Sequence, residues 1–201
     1  TRKESSAASD VYKRQGLVQR GLLDFSPEKT KPSAALSSSP YMRGAFAQDF
    51  FVGQISDHAI GCFSVSKSIT AQNLLWTYET PKGGLSTSPL IHEESVFLAF
   101  KTGKLVKLNL ETGKESWTNI LSGNYADTPL AIHRNNLYVQ TYSDAFYQIN
   151  SESGKTNWTQ KLSERKDVKI MGQGSAIFKD NLIFVGNSEG DILCLESKNK
   201  N

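Results

Sequence analysis

Three tryptophans at a constant interval constrain the fold of this chain more than any other feature. Trp76, Trp117 and Trp158 are separated by 41 and 41 residues in a chain of 201. A period of about 40 residues with several strands in each period is typical of a β-propeller, in which four-stranded sheets, the blades, pack face to face. The interval therefore predicts an all-β fold made of repeated sheets.

The segment 95–117 shows how one repeat is built. An apolar run is followed by a turn at Gly103, a second short strand, a turn at Gly113 and then Trp117. Glycine suits such turns because it adopts positive φ at little cost, and the β-branched and aromatic residues lie between the turns. The segment 136–158 repeats the pattern with its turn at Gly154, and a fourth repeat turns at Gly190. We interpret these glycines and the three tryptophans as structural repeat residues.

The repeats divide the chain into four predicted blades, with the last one incomplete: 39–79, 87–121, 127–162 and 174–198. Residues 1–15 match no repeat and are interpreted as a non-native or disordered arm. Residues 16–38 are interpreted as a linker or the remnant of an upstream blade. Because an open propeller would expose sheet edges, we expect these blades to belong to a ring of seven or eight, with a closed four-blade ring as the alternative.

Charge and composition exclude some classes of function. The net charge is +3, from 23 basic and 20 acidic residues, without a basic stripe, so nucleic acid is not an expected partner. No apolar run reaches the roughly 18 residues of a membrane-spanning helix. Cys62 and Cys194 occupy equivalent strand positions and are predicted to be buried thiols. The three histidines, His58, His92 and His133, are predicted to be exposed turn residues, and no metal site is assigned.

The repeat resembles that of the pyrroloquinoline-quinone (PQQ) type propellers. The pattern G-x-L-x-x-L-N-x-x-T-G-K-x-x-W stands at 103–117, in degenerate form at 144–158, and its first half at 188–195. Within that superfamily the chain is most similar to the BamB family of outer-membrane assembly lipoproteins. The resemblance implies a non-catalytic scaffold at the periplasmic face of the bacterial outer membrane. The implied partner is a protein subunit of the β-barrel assembly machinery, and membrane contact would need a lipid anchor that is not in this chain.

The resemblance also implies a partner-binding loop between the third and fourth blades. In BamB this loop contacts its partner through Leu and Arg side chains. Here the matching loop is 163–172, with Ile170 and Met171 at the contact positions and Arg165 nearby but unaligned. An apolar contact could form, whereas the charge-assisted hydrogen bond of the family could not be made by Met171.

Two other classes remain open from the sequence. A quinoprotein dehydrogenase would bind PQQ and Ca²⁺ and use a catalytic Asp, but Asp127, Asp144 and Asp191 are dispersed over the repeats and no adjacent cysteine pair occurs. The other class is an extracytoplasmic binding or sensor propeller. We therefore assign no catalytic residue, cofactor or metal ligand, and predict a protein that is not an enzyme.

Overall fold

The fold consists of antiparallel strands arranged in successive sheets. The structure, a computed structural model, describes residues 43–56, 58–65, 73–122, 125–163 and 174–197. Its strands are β1 (Gly44–Ala47), β2 (Phe50–Ser56), β3 (Ala59–Ser64), β4 (Leu74–Glu79), β5 (Leu90–His92), β6 (Ser95–Ala99), β7 (Lys104–Asn109), β8 (Glu115–Ile120), β9 (Ala131–His133), β10 (Asn136–Gln140), β11 (Ala145–Asn150), β12 (Thr156–Lys161), β13 (Ile177–Lys179), β14 (Leu182–Gly186) and β15 (Ile192–Glu196).

The strands form four sheets in chain order, each an antiparallel meander. The first three sheets have four strands, β1–β4, β5–β8 and β9–β12, and the fourth has β13–β15 within the described residues. In each four-stranded sheet the last strand pairs with the third through a register shift, as between Lys107 and Leu108. The predicted all-β fold of repeated, propeller-type sheets is confirmed. The sequence analysis missed β1, because Gly44 and two alanines have weak strand propensity.

The core lies between the sheets, where three seams each contain one apolar cluster. In each seam, one face of a sheet packs against the aliphatic face of the next sheet in the chain. The second seam, for example, packs Phe97 and Leu105 of one sheet against Leu137, Val139 and Ile149 of the next. The first and third seams are likewise apolar. Short apolar runs form these strands because both faces of the inner sheets are buried.

The face of the first sheet that points away from the second sheet has a different composition. Its paired glycines Gly53 and Gly61 occupy the positions that Leu98 and Val106 occupy in the second sheet. The Phe51 ring covers Gly53, because a Cβ there would lie 2.7 Å from the ring Cζ. The Phe63 ring covers Gly61 in the same way, at 2.9 Å from its Cε2. Aromatic rings thus take the place of aliphatic side chains on this face.

The fourth sheet leaves one face exposed. Ile183 and Val185 pack toward the third sheet, whereas Ile177, Leu182 and Ile192 are exposed on the opposite face. Ile192 is 80% exposed, while Leu105, at the same position in the second sheet, is 1% exposed. Among the described residues, no helix has the length and apolar character needed to cross a membrane.

Candidate functional site

The repeat tryptophans join each sheet to a turn of the next one. The Trp76 Nε1–H donates to the Leu110 carbonyl oxygen at 2.7 Å, and the Trp117 Nε1–H donates to the Ser151 carbonyl oxygen at 2.9 Å. Each indole also lies against the glycine that follows its acceptor by three residues, Gly113 or Gly154, with φ of +68° and +69°. The turn thus offers both a carbonyl acceptor and a surface without a Cβ.

The third tryptophan has a partly different environment. Trp158 packs against Tyr138 and Phe146, with ring centroids 6.4 and 5.8 Å away, and it is only partly buried. In the fourth repeat the position equivalent to Gly113 and Gly154 is Lys200, which lies outside the described residues. The sequence of this repeat therefore lacks the glycine at which the first two indoles dock.

A second set of equivalent turns follows the second strand of each repeat. Gly103 and Gly190 adopt φ of +82° and +90°, as expected of a turn glycine. In the third repeat the position is taken by Asp144, with φ of +58°. Asp tolerates this region better than most residues, which explains how the turn is kept.

One strand position carries a different polar group in each repeat. Cys62, Lys107 and Gln148 each pair with the tryptophan of the neighbouring outer strand, and Cys194 is their equivalent in β15. Cys62 is fully buried and its Sγ–H donates weakly to the Leu110 carbonyl oxygen at 3.6 Å. Burial raises the pKa of the Cys62 thiol to about 12. Cys194 is exposed, so the prediction of a buried thiol is correct for Cys62 and wrong for Cys194.

The buried side chains of Lys107 and Gln148 are both hydrogen-bonded. Lys107 is 7% exposed, and its ammonium donates across the second seam to Glu152 Oε1 at 2.9 Å. The Gln148 Nε2–H donates to the Tyr138 hydroxyl at 2.8 Å, and Asn157 Nδ2–H donates to Gln148 Oε1 at 3.2 Å. Sequence reasoning missed Lys107, although a lysine inside the run Leu105–Leu108 is itself a signal of a paired buried charge.

A charged group closes the outer end of the first seam. The Tyr78 hydroxyl donates to Glu115 Oε2 at 2.8 Å and accepts from Lys104 Nζ at 3.0 Å. Desolvation is the main cause that raises the pKa of Tyr78. The hydrogen bond from the Thr118 hydroxyl, with smaller contributions from Tyr78 and Lys104, lowers the pKa of Glu115. These three side chains therefore link the first sheet to the second.

The third seam brings together two of the acidic residues considered for catalysis. The Asp144 carboxylate, 1% exposed, accepts from the Ser188 hydroxyl, and its Oδ1 also accepts from the Ser188 amide at 3.2 Å. Asp191 Oδ2 accepts from Nδ2–H of the adjacent Asn187 at 3.2 Å. Both carboxylates therefore accept hydrogen bonds from one turn, through Asn187 and Ser188, although Asp144 and Asp191 belong to different repeats. Within the part of the chain that is described, however, no three His, Cys, Asp or Glu residues are grouped as metal ligands.

The partner-binding loop, the N-terminal segments and the three histidines are the remaining positions for which the sequence made predictions. Arg165, Ile170 and Met171 of the partner-binding loop lie outside the described residues, as do the arm 1–15 and the segment 16–38. His58 is an exposed turn residue, as predicted, and His92 is exposed but is the last residue of β5. His133 departs from the prediction of an exposed turn residue: it belongs to β9 and stacks on Phe178 of the fourth sheet, with centroids 4.8 Å apart.

Comparison with known proteins agrees with this architecture. The family described as outer membrane protein assembly factor BamB matches residues 65–199. No curated protein sequence matches the chain significantly. Among solved structures, BamB from Moraxella catarrhalis is 18% identical with a TM-score of 0.65, and the match covers 77% of this chain and 45% of that one.

Other solved structures with a similar fold include a designed protein and an enzyme. The computationally designed Ika4 protein is 16% identical with a TM-score of 0.61, covering 84% of this chain and 99% of Ika4. Quinohemoprotein alcohol dehydrogenase from Comamonas testosteroni is 13% identical with a TM-score of 0.58, covering 77% of this chain and 32% of the enzyme. The chain thus spans less than half the length of BamB from Moraxella catarrhalis. With the family match extending over most of its repeats, the chain belongs to the outer membrane protein assembly factor BamB family of PQQ-type repeat propellers.

Proposed function

We propose that this chain is a non-catalytic scaffold that binds protein partners in the bacterial envelope during assembly of outer-membrane β-barrel proteins. The observation that carries the proposal is the family match over residues 65–199. It is supported by how the repeat residues are used, because the indoles, turn glycines and buried polar groups described above join one sheet to the next. Partner binding would then depend on rims, loops and exposed strands.

The proposed location is the periplasmic face of the outer membrane, and the proposed partner is a subunit of the β-barrel assembly machinery. We propose the loop 163–172 as the contact, with Ile170 and Met171 supplying apolar side chains and Arg165 a nearby charge. A compact apolar contact of this kind is typical of binding hot spots, where few side chains contribute most of the affinity.

Co-purification tests this assignment. The tagged chain is exported to the periplasm of a Gram-negative host, and the recovered assembly subunits are measured for the parent protein and for Met171→Asp. A charge in an apolar contact should lower recovery about tenfold or more, since one unpaired buried charge costs several kcal/mol. Ile120→Asp is the matched control, because Ile120 is an exposed apolar residue on β8. Equal recovery of parent and Met171→Asp would remove the loop from the proposal.

The second candidate is a PQQ- and Ca²⁺-dependent dehydrogenase, and the fold similarity to quinohemoprotein alcohol dehydrogenase is the observation that favours testing it. An extracytoplasmic binding or sensor propeller is the third. Titration of the chain with PQQ and Ca²⁺, followed by quinone absorbance and by calorimetry, separates the enzyme class. Saturable binding near micromolar concentration would replace the scaffold proposal with the dehydrogenase.

A further inference from the structure

The turn between β10 and β11 in the third sheet carries one member of a stacked pair of tyrosines. The rings of Tyr125 and Tyr142 have centroids 5.7 Å apart and planes inclined by 17°. Tyr142 belongs to this turn, 141–144, and Tyr125 precedes β9 of the same sheet. The Tyr142 amide donates to the Tyr125 carbonyl oxygen at 3.1 Å, so the backbone holds the two residues side by side. Because Tyr142 is 36% exposed, the pair presents an aromatic surface at the end of the sheet.

This aromatic surface is specific to the third repeat, whose sheet packs against the second sheet on one side and the fourth on the other. In the second sheet the same two positions are Gly84 and Lys101, and their backbone groups make the same 3.1 Å hydrogen bond. In the fourth sheet the position of Tyr142 is Ser188, which is buried against Asp144. Equivalent turns therefore support different side chains in successive repeats, and in the third repeat these side chains are aromatic.

The turn that carries Tyr142 also holds the chain just before the loop 163–172. The Leu162 amide donates to the Asp144 carbonyl oxygen at 2.8 Å, and the Asp144 amide donates to the Thr141 carbonyl oxygen at 2.9 Å. The tyrosine pair and the start of the loop therefore lie at the same end of the third sheet. A protein interface of ordinary size covers about 800 Å² on each partner, which is enough to include both.

The charge beside the tyrosine pair favours a cationic group in the partner. Burial raises the pKa of Tyr125, and the charge of the nearby Asp127 carboxylate raises it further. The face of a tyrosine ring carries partial negative charge, so it attracts arginine and lysine side chains. A carboxylate close to the rings adds to this attraction, and the Arg43 guanidinium already interacts with the same carboxylate. The rings and Asp127 together therefore select a cation over an anion.

We propose that Tyr125 and Tyr142 form a second contact for the assembly subunit, beside the loop 163–172, and that they bind an arginine or lysine side chain of that subunit. The cation lies over the exposed face of Tyr142, while Tyr125 stacks on the other side of the ring. Tyrosine is enriched among the residues that contribute most of the affinity in protein interfaces. This inference rests on the proposed function, because it names the chemistry of the partner at the same interface.

Three substitutions at position 142 separate a cationic contact from an apolar one. Each tagged variant is exported to the periplasm, and the recovered assembly subunits are measured beside those of the parent protein. Tyr142→Phe keeps the aromatic face and should recover within about twofold of the parent. Tyr142→Leu keeps an apolar side chain but removes the ring, so recovery should fall about threefold or more. Tyr142→Lys places a like charge against the partner cation and should lower recovery about tenfold or more.

Lys101→Leu is the matched control, because Lys101 occupies the same position in the second sheet, and its recovery should stay within about twofold of the parent. The urea midpoint of each variant shows whether the protein is still folded. Equal recovery of the parent and all three Tyr142 variants would overturn the inference and leave the proposed function standing. Equal recovery of Tyr142→Phe and Tyr142→Leu would show that the partner group is not a cation. Failure of the parent itself to recover an assembly subunit would overturn both the proposed function and this inference.

Photochemical cross-linking identifies the partner residue directly. A benzoylphenylalanine introduced at position 142 keeps an aromatic ring and reacts with whatever lies against it when the periplasm is irradiated. Mass spectrometry of the product should place the attachment on an assembly subunit, next to an arginine or lysine. The same residue introduced at position 101 should give no cross-link to that subunit. Attachment to a segment without a basic residue, or to no assembly subunit, would contradict the proposed contact.

Discussion

Trp117 and Gly154 are in such close contact that the glycine has no room for a side chain. A Cβ on Gly154 would lie 2.6 Å from Cδ2 of the Trp117 indole. The same relationship joins Trp76 to Gly113 in the preceding repeat, also at 2.6 Å. The turn glycine is therefore required twice, once for its positive φ and once for the approach of the indole from the neighbouring sheet.

Gly154→Ala should be one of the most destabilising single substitutions in the described part of the chain. The added methyl group collides with the Trp117 ring, and Ala is strained at the φ of +69°. Overpacking costs about 1–3 kcal/mol and the left-handed conformation about 1–2 kcal/mol, so we expect a loss of about 2–5 kcal/mol in the free energy of unfolding. Urea denaturation followed by tryptophan fluorescence measures it.

Gly190→Ala is the matched control for that prediction. Gly190 has a φ of +90°, but a Cβ added there would have no atom within 4 Å beyond those of its two chain neighbours. Only the backbone cost of about 1–2 kcal/mol should remain. Equal losses for the two variants would mean that contact with the indole contributes nothing to the stability of the seam.

The ion pair of Lys107 and Glu152 should respond unequally to removal of its two members. Glu152→Ala leaves the buried Lys107 ammonium without its carboxylate partner and should destabilise the protein by about 1–3 kcal/mol. Lys107→Met replaces the buried charge with an apolar side chain of similar length, which is commonly neutral or stabilising. Thermal unfolding of both variants at low and high salt checks the order, and a larger loss for Lys107→Met would contradict it.

Much of the fold can be predicted from the sequence, because the residues that define the repeat act on the local conformation of the chain. Gly103 and Gly113 specify turns, the apolar runs between them specify buried strands, and the tryptophan interval gives the number of residues per sheet. The seam contacts could not be derived in this way. That Trp117 donates to Ser151, or that Asp144 meets Ser188, depends on how one sheet is placed on the next.

The two cysteines illustrate the same limit. Cys62 and Cys194 occupy equivalent strand positions, and their sequence context offers no reason to distinguish their burial. Their difference comes from the sheet that follows each of them: the second sheet covers Cys62, while no described residue pairs with the edge beside Cys194. The partner-binding loop is a different case, since Arg165, Ile170 and Met171 remain predictions.

Thiol labelling should therefore separate the two cysteines. In the native protein an aromatic disulfide reagent should react rapidly with one equivalent, Cys194, and the second equivalent should appear only in denaturant. Cys194→Ser should abolish the rapid phase and Cys62→Ala should leave it unchanged. Two rapid equivalents in the native protein would show that the first seam opens readily.

The buried thiol also predicts a pH dependence of stability. The pKa of Cys62 is raised by burial to about 12 in the folded protein, against about 8.5 for an exposed thiol. The unfolded chain thus loses this proton at lower pH than the folded one, so the contribution of Cys62 to stability falls as pH rises above about 8.5. Urea unfolding at a series of alkaline pH values should give a shallower decline for Cys62→Ala than for the parent protein. Parallel declines would contradict the assignment.

Asp144 and Ser188 should be strongly coupled across the third seam. The buried carboxylate accepts from both the hydroxyl and the amide of Ser188, so each residue loses a partner when the other is changed. We expect Asp144→Asn and Ser188→Ala each to destabilise the protein, with a coupling energy of about 1–3 kcal/mol in the double-mutant cycle. Asn is chosen because it keeps the shape of Asp and tolerates the φ of +58°.

The Thr118–Glu115 contact provides a comparison for this cycle. The Thr118 hydroxyl donates to Glu115 Oε1 at 2.6 Å, but this pair lies within one exposed strand and does not cross a seam. Thr118→Ala and Glu115→Gln should therefore couple by less than about 1 kcal/mol. If the Asp144–Ser188 coupling were no larger than this, the buried pair would not be holding the third and fourth sheets together, and the seam would depend on its apolar cluster alone.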